Sequence, residues 1–270
     1  MIMLKNTLKI LLHLTELFLS RFCEENCRIC HQNIIWPILQ TKQFNEIKAK
    51  SYQELNYCKP YLKNYFKTSQ SLCENCFTKL SLQNSYLNTY ELKQSLTLTV
   101  VSANKYQGQC KWLIYRFKYV NDRLLGIDLA ILLLKAFQGL TPYLIGQKEN
   151  LPAEYLLVPV PLHRQKLQER KYNQSYILAK NLEHLLAIKL SPQALAKVKA
   201  TKSQQSLNRH DRLINLKNAF KANPQIVTGK KIILIDDVIT TGATLTNCAT
   251  ELYRQGAIAV YGLTVAASIK

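Results

Sequence analysis

Lys231-Ile-Ile-Leu-Ile-Asp-Asp-Val-Ile-Thr-Thr-Gly-Ala-Thr-Leu245 is the stretch that decides how the chain is read. Ile232 to Ile235 is an unbroken aliphatic run, as expected of a strand covered on both faces of a parallel sheet, and Lys230-Lys231 marks its solvated entry. Ala243 to Gln255 then carries helical spacing, with Leu245, Cys248, Ala249 and Leu252 on one stripe. Between them, Thr240-Thr-Gly-Ala-Thr244 supplies small residues and hydroxyls where the amides of a helix N-terminus converge, a ready-made cradle for phosphate. Asp236 and Asp237 stand side by side at the expected carboxyl end of the strand. Adjacent carboxylates are costly there unless a ligand or water uses them, and they could accept from the hydroxyls of a ribose whose 5'-phosphate sits in the loop.

A strand, two acids and a Thr/Gly loop in this order resemble the phosphoribosyl pyrophosphate (PRPP) loop of the type I phosphoribosyltransferases. Open α/β sheets also place their ligands at the carboxyl ends of strands. The plainer alternative is an acidic strand-to-helix connection with no ligand.

The 270 residues are enough for one α/β domain with a smaller appendage. With 47% hydrophobic and 20% charged residues the composition is that of a globular protein. Lys and Arg number 36 against 17 Asp and Glu, a formal charge of +19, which favours polyanionic partners: nucleic acid, nucleotide phosphates or anionic lipid. Lysine loading by an AT-rich genome explains part of that excess.

Six of the eight cysteines, Cys23, Cys27, Cys30, Cys58, Cys73 and Cys76, fall in the first third, which points to a local metal site in a reducing, cytoplasmic compartment. The pairs Cys27-Arg-Ile-Cys30 and Cys73-Glu-Asn-Cys76 are the spacing by which two knuckles present four thiolates to a structural Zn²⁺. Cys23 and Cys58 leave the ligand choice open, and a redox dithiol is the alternative use. Cys110 and Cys248 lie in helical patterns and read as small core residues. Residues 1–22 read as an amphipathic helix: His13 and Glu16 interrupt the apolar run, which is too short to span a membrane and has no small-residue cleavage site, although peripheral contact with a lipid surface fits. Between the knuckles, Tyr57, Tyr61, Tyr65 and Phe66 interleave with Lys59, Lys63 and Lys67, a pattern that suits single-stranded nucleic acid and equally a half-buried packing segment.

From residue 96 the composition changes. Ser95–Ser102 alternates like a strand, Tyr106–Tyr119 opens a helix with Trp112, Ile114 and Tyr115 available for burial, and a second helix spans Arg123–Phe137. Gly139–Pro152 reads as a loop. Leu156-Leu-Val-Pro-Val-Pro-Leu-His-Arg164 reads as a buried strand whose pairing Pro159 and Pro161 stop, followed by a basic turn with His163, Arg164, Lys166, Arg170 and Lys171 that could fix a second anion. A helix then runs to Leu186, Ala194–Lys199 reads as a strand, and residues 200–220 form a polar stretch. From Pro161 to Lys217 there are twelve Lys/Arg and three Asp/Glu. Gly256–Ala267 reads as the last buried strand.

Taken in order, the two C-x-x-C pairs, Tyr106-Gln-Gly, Phe117-Lys-Tyr119, Val158-Pro-Val-Pro-Leu162, Arg170-Lys-Tyr-Asn-Gln174, Gln204/Gln205 to Arg212, Asn215 to Phe220 and the acidic loop are similar to the ComF family, the ComFC/GntX-type proteins linked to DNA uptake in competent bacteria. The resemblance covers nearly the whole chain. It implies a type I phosphoribosyltransferase-like parallel sheet flanked by helices (residues 96–270), preceded by an N-terminal helix and a small zinc-binding subdomain (1–95). It implies that Asp236 and Asp237 orient ribose and that Thr240, Thr241, Gly242, Ala243 and Thr244 hold the 5'-phosphate. Arg164, Arg170 and the stretch around Arg212 would cover a pyrophosphate carried with Mg²⁺. Where the family has Arg-Gly, this chain has Arg170-Lys171, so the backbone freedom of glycine is expected to be lost. The function implied is recognition of phosphoribosyl groups and single-stranded DNA in natural transformation, with a helicase-like ATPase and a DNA-processing protein as partners. An active Mg²⁺-dependent transferase acting on a nitrogenous acceptor, and a zinc-stabilised adaptor with a relic site, are the alternatives.

Overall fold

The computed structural model describes residues 26–32, 71–144, 151–199 and 218–268. The expected N-terminal helix, Cys23, Cys58, the aromatic and lysine stretch 57–67, and the stretch 200–217 with Gln204, Gln205 and Arg212 lie outside the described residues.

Seven strands and eight α-helical segments are described. In chain order they are α1 (Glu74–Ser81), β1 (Tyr86–Glu91), β2 (Thr97–Lys105), α2 (Gly108–Tyr119), α3 (Leu125–Leu140), the single turn α4 (Leu151–Glu154), β3 (Tyr155–Pro159), α5 (Arg164–Arg170), α6 (Gln174–Leu186), β4 (Leu195–Lys197), β5 (Phe220–Ala222), the turn α7 (Pro224–Val227), β6 (Lys231–Ile239), α8 (Ala243–Arg254) and β7 (Ala259–Ala267). Five strands form one sheet in the order β1-β2-β7-β6-β3, with β1 antiparallel and the other four parallel; β4 and β5 form a separate antiparallel ribbon.

The aliphatic run of β6 lies at the middle of the core. Ile232, Ile233, Leu234 and Ile235 are all fully buried, each contributing about 1.5–3 kcal/mol of apolar burial. Alternation sends Ile233 and Ile235 to one face, where Leu129 and Leu133 of α3 and Leu178 and Leu182 of α6 cover them. Ile232 and Leu234 go to the other, under Leu245 and Leu252 of α8 and Phe220 of the ribbon. The chain therefore leaves β3 toward the first face and β6 toward the second. Two neighbouring parallel strands whose exits diverge leave a crevice outside their carboxyl ends.

That crevice differs from the sequence expectation in two ways. First, β6 does not end at its acids but runs on to Ile239: Asp236 pairs with Thr264, Val238 with Ala266 and Ile239 with Ala267, so the strand runs four residues beyond its last partner in β3, Pro159↔Ile235. Second, β3 ends with the Pro159↔Ile235 pair as expected, but not for want of a proline donor. The Leu157 amide points away from β6, donating to the Lys189 carbonyl at 2.9 Å, while the Val160 amide donates to the Ile235 carbonyl at 3.0 Å. Pro159 has the parity of Leu157, so its ring nitrogen faces the outer edge, where β6 needs no donor.

Three further expectations are corrected. Trp112 and Tyr115 are not buried but 44% and 47% exposed; α2 buries Cys110, Leu113, Ile114 and Phe117 instead. The strand expected over Ala194–Lys199 is only Leu195–Lys197, and Phe220, assigned to the polar stretch, belongs to β5. Of the expected loop 139–152, Thr141–Tyr143 is a 3₁₀ turn and Leu151–Glu154 a helical turn. Cys110 and Cys248 are buried core residues as expected. Among the described residues one stretch, Leu125–Tyr143, is long and apolar enough to cross a membrane; it is largely α3, 67% of it buried.

Candidate functional site

Asp236 and Asp237 lie on the projecting end of β6. Asp236 Oδ1 accepts from the Ser175 hydroxyl at 3.0 Å and from the Asp237 amide at 2.9 Å, which ties it to the first turn of α6. Asp237 Oδ1 is paired with Lys118 Nζ at 2.6 Å, and their side chains are only 8% and 17% exposed. Burial, and then the charge of Asp237 beside it, pushes the Asp236 carboxyl up to about 7. Burial works against the Lys118 ammonium, but Asp237 outweighs it and holds the lysine above its ordinary value. Among the described residues, Oδ2 of each carboxyl has no partner.

Further cations lie near this pair, with Glu169 beside Lys166. Lys166 of α5 is held below the ordinary lysine value by burial and then by Arg170; Lys197 of β4 is held down by burial and then by Lys166. Arg170 donates to Gln174 Oε1 at 3.2 Å and lies 5.2 Å from the Tyr119 ring centre. Charges that depress one another in a partly enclosed place are stabilised by a polyanion that enters among them. Arg164 is exposed at the start of α5, just after the carboxyl end of β3. Arg212 is outside the described residues, but the ribbon that carries its segment is not: Val198 and Ala219 join across the open end of β4 and β5, beside Lys197.

The loop Thr240–Thr244 turns from β6 into α8. Gly242 takes φ +77° as the residue before α8 and supplies no side-chain cap, while the Thr241 hydroxyl accepts from the Ala243 amide at 3.4 Å. A Cβ on Gly242 would run into the Tyr90 ring of β1 and push it aside, and the positive φ favours glycine there in any case. Thr240 is exposed, Thr241 and Thr244 are half-buried, and Gly242 and Ala243 are buried.

The four knuckle cysteines come together. The sulfurs of Cys27, Cys30, Cys73 and Cys76 all lie within 4.8 Å of one another, with Cys30 and Cys73 at 3.6 Å. Tetrahedral zinc with Zn–S of about 2.3 Å separates its sulfurs by about 3.8 Å, so this set could hold a metal ion and is consistent with structural zinc. A disulfide would need about 2.05 Å. Burial opposes ionisation of Cys27, but the amides of Cys30, Cys73 and Ile29 donate to its sulfur and bring it down to about 7. The knuckles are also clamped to the body: Arg28 Nε and Arg116 Nη2 both reach Asp122 Oδ2, at 3.1 and 2.9 Å.

Lys166 belongs to the basic turn expected to fix a second anion, whereas Lys118, Lys197 and Ser175 carry no role in the sequence reading. Lys118 did carry a signal, since it lies inside Phe117-Lys-Tyr119 and immediately follows a buried position. Nothing local marks the others.

No family model matches the chain. The DNA utilization protein YhgH of Salmonella typhi is 32% identical over 161 residues, 60% of this chain and 68% of that protein. Competence protein F of Haemophilus influenzae is 30% identical over 195 residues, 71% of this chain and 83% of that one. The chain belongs to the ComF family. ComFC of Bacillus subtilis, 35% identical over 105 residues, matches a shorter part, 38% of this chain and 40% of its own. These relatives point the ComF chain to a role in competence and DNA utilization. At the position where the resemblance expects the ComF glycine, Lys171 still adopts the left-handed conformation, with φ +64° at the end of α5. The turn is therefore kept, at a steric cost. Lys171→Gly is expected to raise stability by about 0.5–1 kcal/mol, a rise of about 1–3 °C in Tm by calorimetry. An unchanged or lowered Tm would show that the turn carries no strain.

Proposed function

We propose that this ComF protein binds a 5-phosphoribosyl ligand of the PRPP type in the crevice between β3 and β6, and that it handles single-stranded DNA during uptake in the cytoplasm, alongside a helicase-like ATPase and a DNA-processing protein. The observation that carries the ligand assignment is the projecting end of β6. It offers the two Oδ2 atoms of Asp236 and Asp237 to a pair of vicinal hydroxyls, one turn of chain before the start of α8, where Gly242 contributes no side chain and the Thr241 hydroxyl meets the first amide. In this reading the 5'-phosphate sits on Thr240–Thr244. Lys118, Lys166, Arg170 and Lys197 face the diphosphate, and Lys118 exchanges Asp237 for that anion as the ligand enters. Mg²⁺ would ride on the diphosphate and on water, because the near carboxylate oxygens are already engaged with Lys118 and Ser175. It would neutralise diphosphate charge.

Calorimetric titration with PRPP tests this. Binding is expected with Mg²⁺ and should weaken about 10- to 100-fold in Asp236→Asn, the worth of a hydrogen bond to a charged group. Absence of heat with millimolar PRPP and Mg²⁺ removes the sugar phosphate from the crevice. For the DNA half, affinity for an oligothymidylate should fall steeply with salt, in proportion to the phosphates neutralised; a salt-insensitive affinity would speak against it.

A further inference from the structure

The outward face of α2 has no role in the crevice. Trp112, Tyr115 and Tyr119 stand on it three and four residues apart, 44%, 47% and 53% exposed. The Trp112 and Tyr115 rings are 5.7 Å apart at 13°, stacked, and Tyr115 and Tyr119 follow at 5.3 Å. Three adjoining aromatic rings left in water are a costly use of residues that usually fill cores. The helix that carries them bears one sign of charge, and Asp122 just past its end is already paired with Arg28 and Arg116. From Lys105 to Asn121 there is no Asp or Glu, while exposed Lys111 and the Arg170 guanidinium on Tyr119 border the stripe.

We infer that this stripe is the surface on which single-stranded nucleic acid lies, its bases stacked on Trp112, Tyr115 and Tyr119 and its phosphates met by Lys111 and Arg170. Seven residues of helix from Trp112 to Tyr119 rise about 10 Å, room for two or three bases spaced at about 3.4 Å. Aromatic faces accept any base, so the surface is sequence-tolerant, and a duplex, whose bases are already stacked on one another, gains nothing from it. An apolar helix of a partner protein would fit less well, since the exposed side chains are flat rings edged by cations rather than an aliphatic ridge. Arg170 also belongs to the cation group of the crevice, so a strand on α2 ends beside the sugar-phosphate site. The inference rests on the proposed binding of single strands and says where it happens.

The chain has two tryptophans, Trp36 and Trp112, so Trp36→Phe makes Trp112 the sole reporter. Adding a (dT)₁₂ oligonucleotide should quench that emission to saturation, while a blunt duplex of the same length and PRPP should not. Anisotropy with labelled (dT)₁₂ should show about tenfold weaker binding for Tyr119→Ala and about a hundredfold for Trp112→Ala with Tyr115→Ala. The latter double variant should keep the parent Tm and PRPP affinity. If (dT)₁₂ binds the parent and the double variant alike and leaves Trp112 unquenched, the strand lies elsewhere and the inference fails while single-strand binding stands. If the parent binds no (dT)₁₂ at low salt, both fail. Equal quenching by the duplex would make the surface a phosphate patch. An emission that blue-shifts with protein concentration would put a second copy there, and one already shielded from acrylamide in the free protein would put another segment of this chain there. Each of these outcomes overturns the assignment.

Discussion

Lys118→Met is expected to cost the fold about 3–5 kcal/mol, because it strands a buried carboxylate. Asp237 keeps 8% of its side chain exposed and has Lys118 as its ion-pair partner at 2.6 Å. Methionine has nearly the length and none of the charge, so the loss is electrostatic rather than a cavity. The companion Lys118→Met with Asp237→Leu should recover most of it, since replacing both members of a buried pair by apolar groups is often close to neutral. Equilibrium denaturation of the four chains measures the coupling; a single variant as stable as its parent would show that the pair contributes nothing. The pH profile carries a second signature. Asp236 has its folded value raised from 3.8 to about 7, so the folded state holds that proton more tightly than the unfolded chain does. Its contribution is therefore present at acid pH, is lost as pH climbs from about 4 to about 7, and is flat beyond. Lys118 is one of the groups that restrain this rise. Without it the decline should extend above pH 7, visible as a Tm that goes on falling where the parent's has levelled.

Stripping metal from the cysteine cluster, or Cys30→Ser, is expected to lower stability by roughly 4 kcal/mol or more, the range of lost metal sites. The damage should not stop at the knuckles. Cys27, Leu72, Cys76 and Leu80 are buried in the same cluster as Leu129, Leu132 and Leu133 of α3, and Lys135 of α3 donates to the carbonyls of Gln83 and Ala103. Hydrogen exchange should accelerate first in α1 and then along the α3 face it covers, while β6 and β7 keep their protection. Elemental analysis showing no bound metal, or chelation that leaves α1 protected, would end the structural-zinc assignment.

What could be read beforehand was whatever repeats at short range. The aliphatic run of β6, the stripe Leu245, Cys248, Ala249 and Leu252 of α8, and the paired knuckles each carry their pattern within a dozen residues, and each is where the spacing put it. Tyr86–Glu91 was not legible as a strand: it is an edge strand whose residues alternate between half-buried and exposed, with no apolar run to announce it. Its Tyr90 then reaches Gly242, 152 positions on, which no local motif encodes. The same holds for Lys118 and Asp237: the loop and its acids were visible, and the counter-charge that governs them arrives from another helix. Trp112 and Tyr115 failed for the opposite reason. Composition takes aromatic residues for core, and only the packed helix shows which of its sides is already filled.

The four residues by which β6 outruns β3 make strand length a condition for the ledge in its own right. Two more residues of pairing on β3 would lay backbone alongside Asp236 and close the ledge without altering one side chain in it. Insertions in the Val158–Leu162 segment should thus be purged more strictly than substitutions, and a gap-free span there would serve as a marker for chains that still use the ledge.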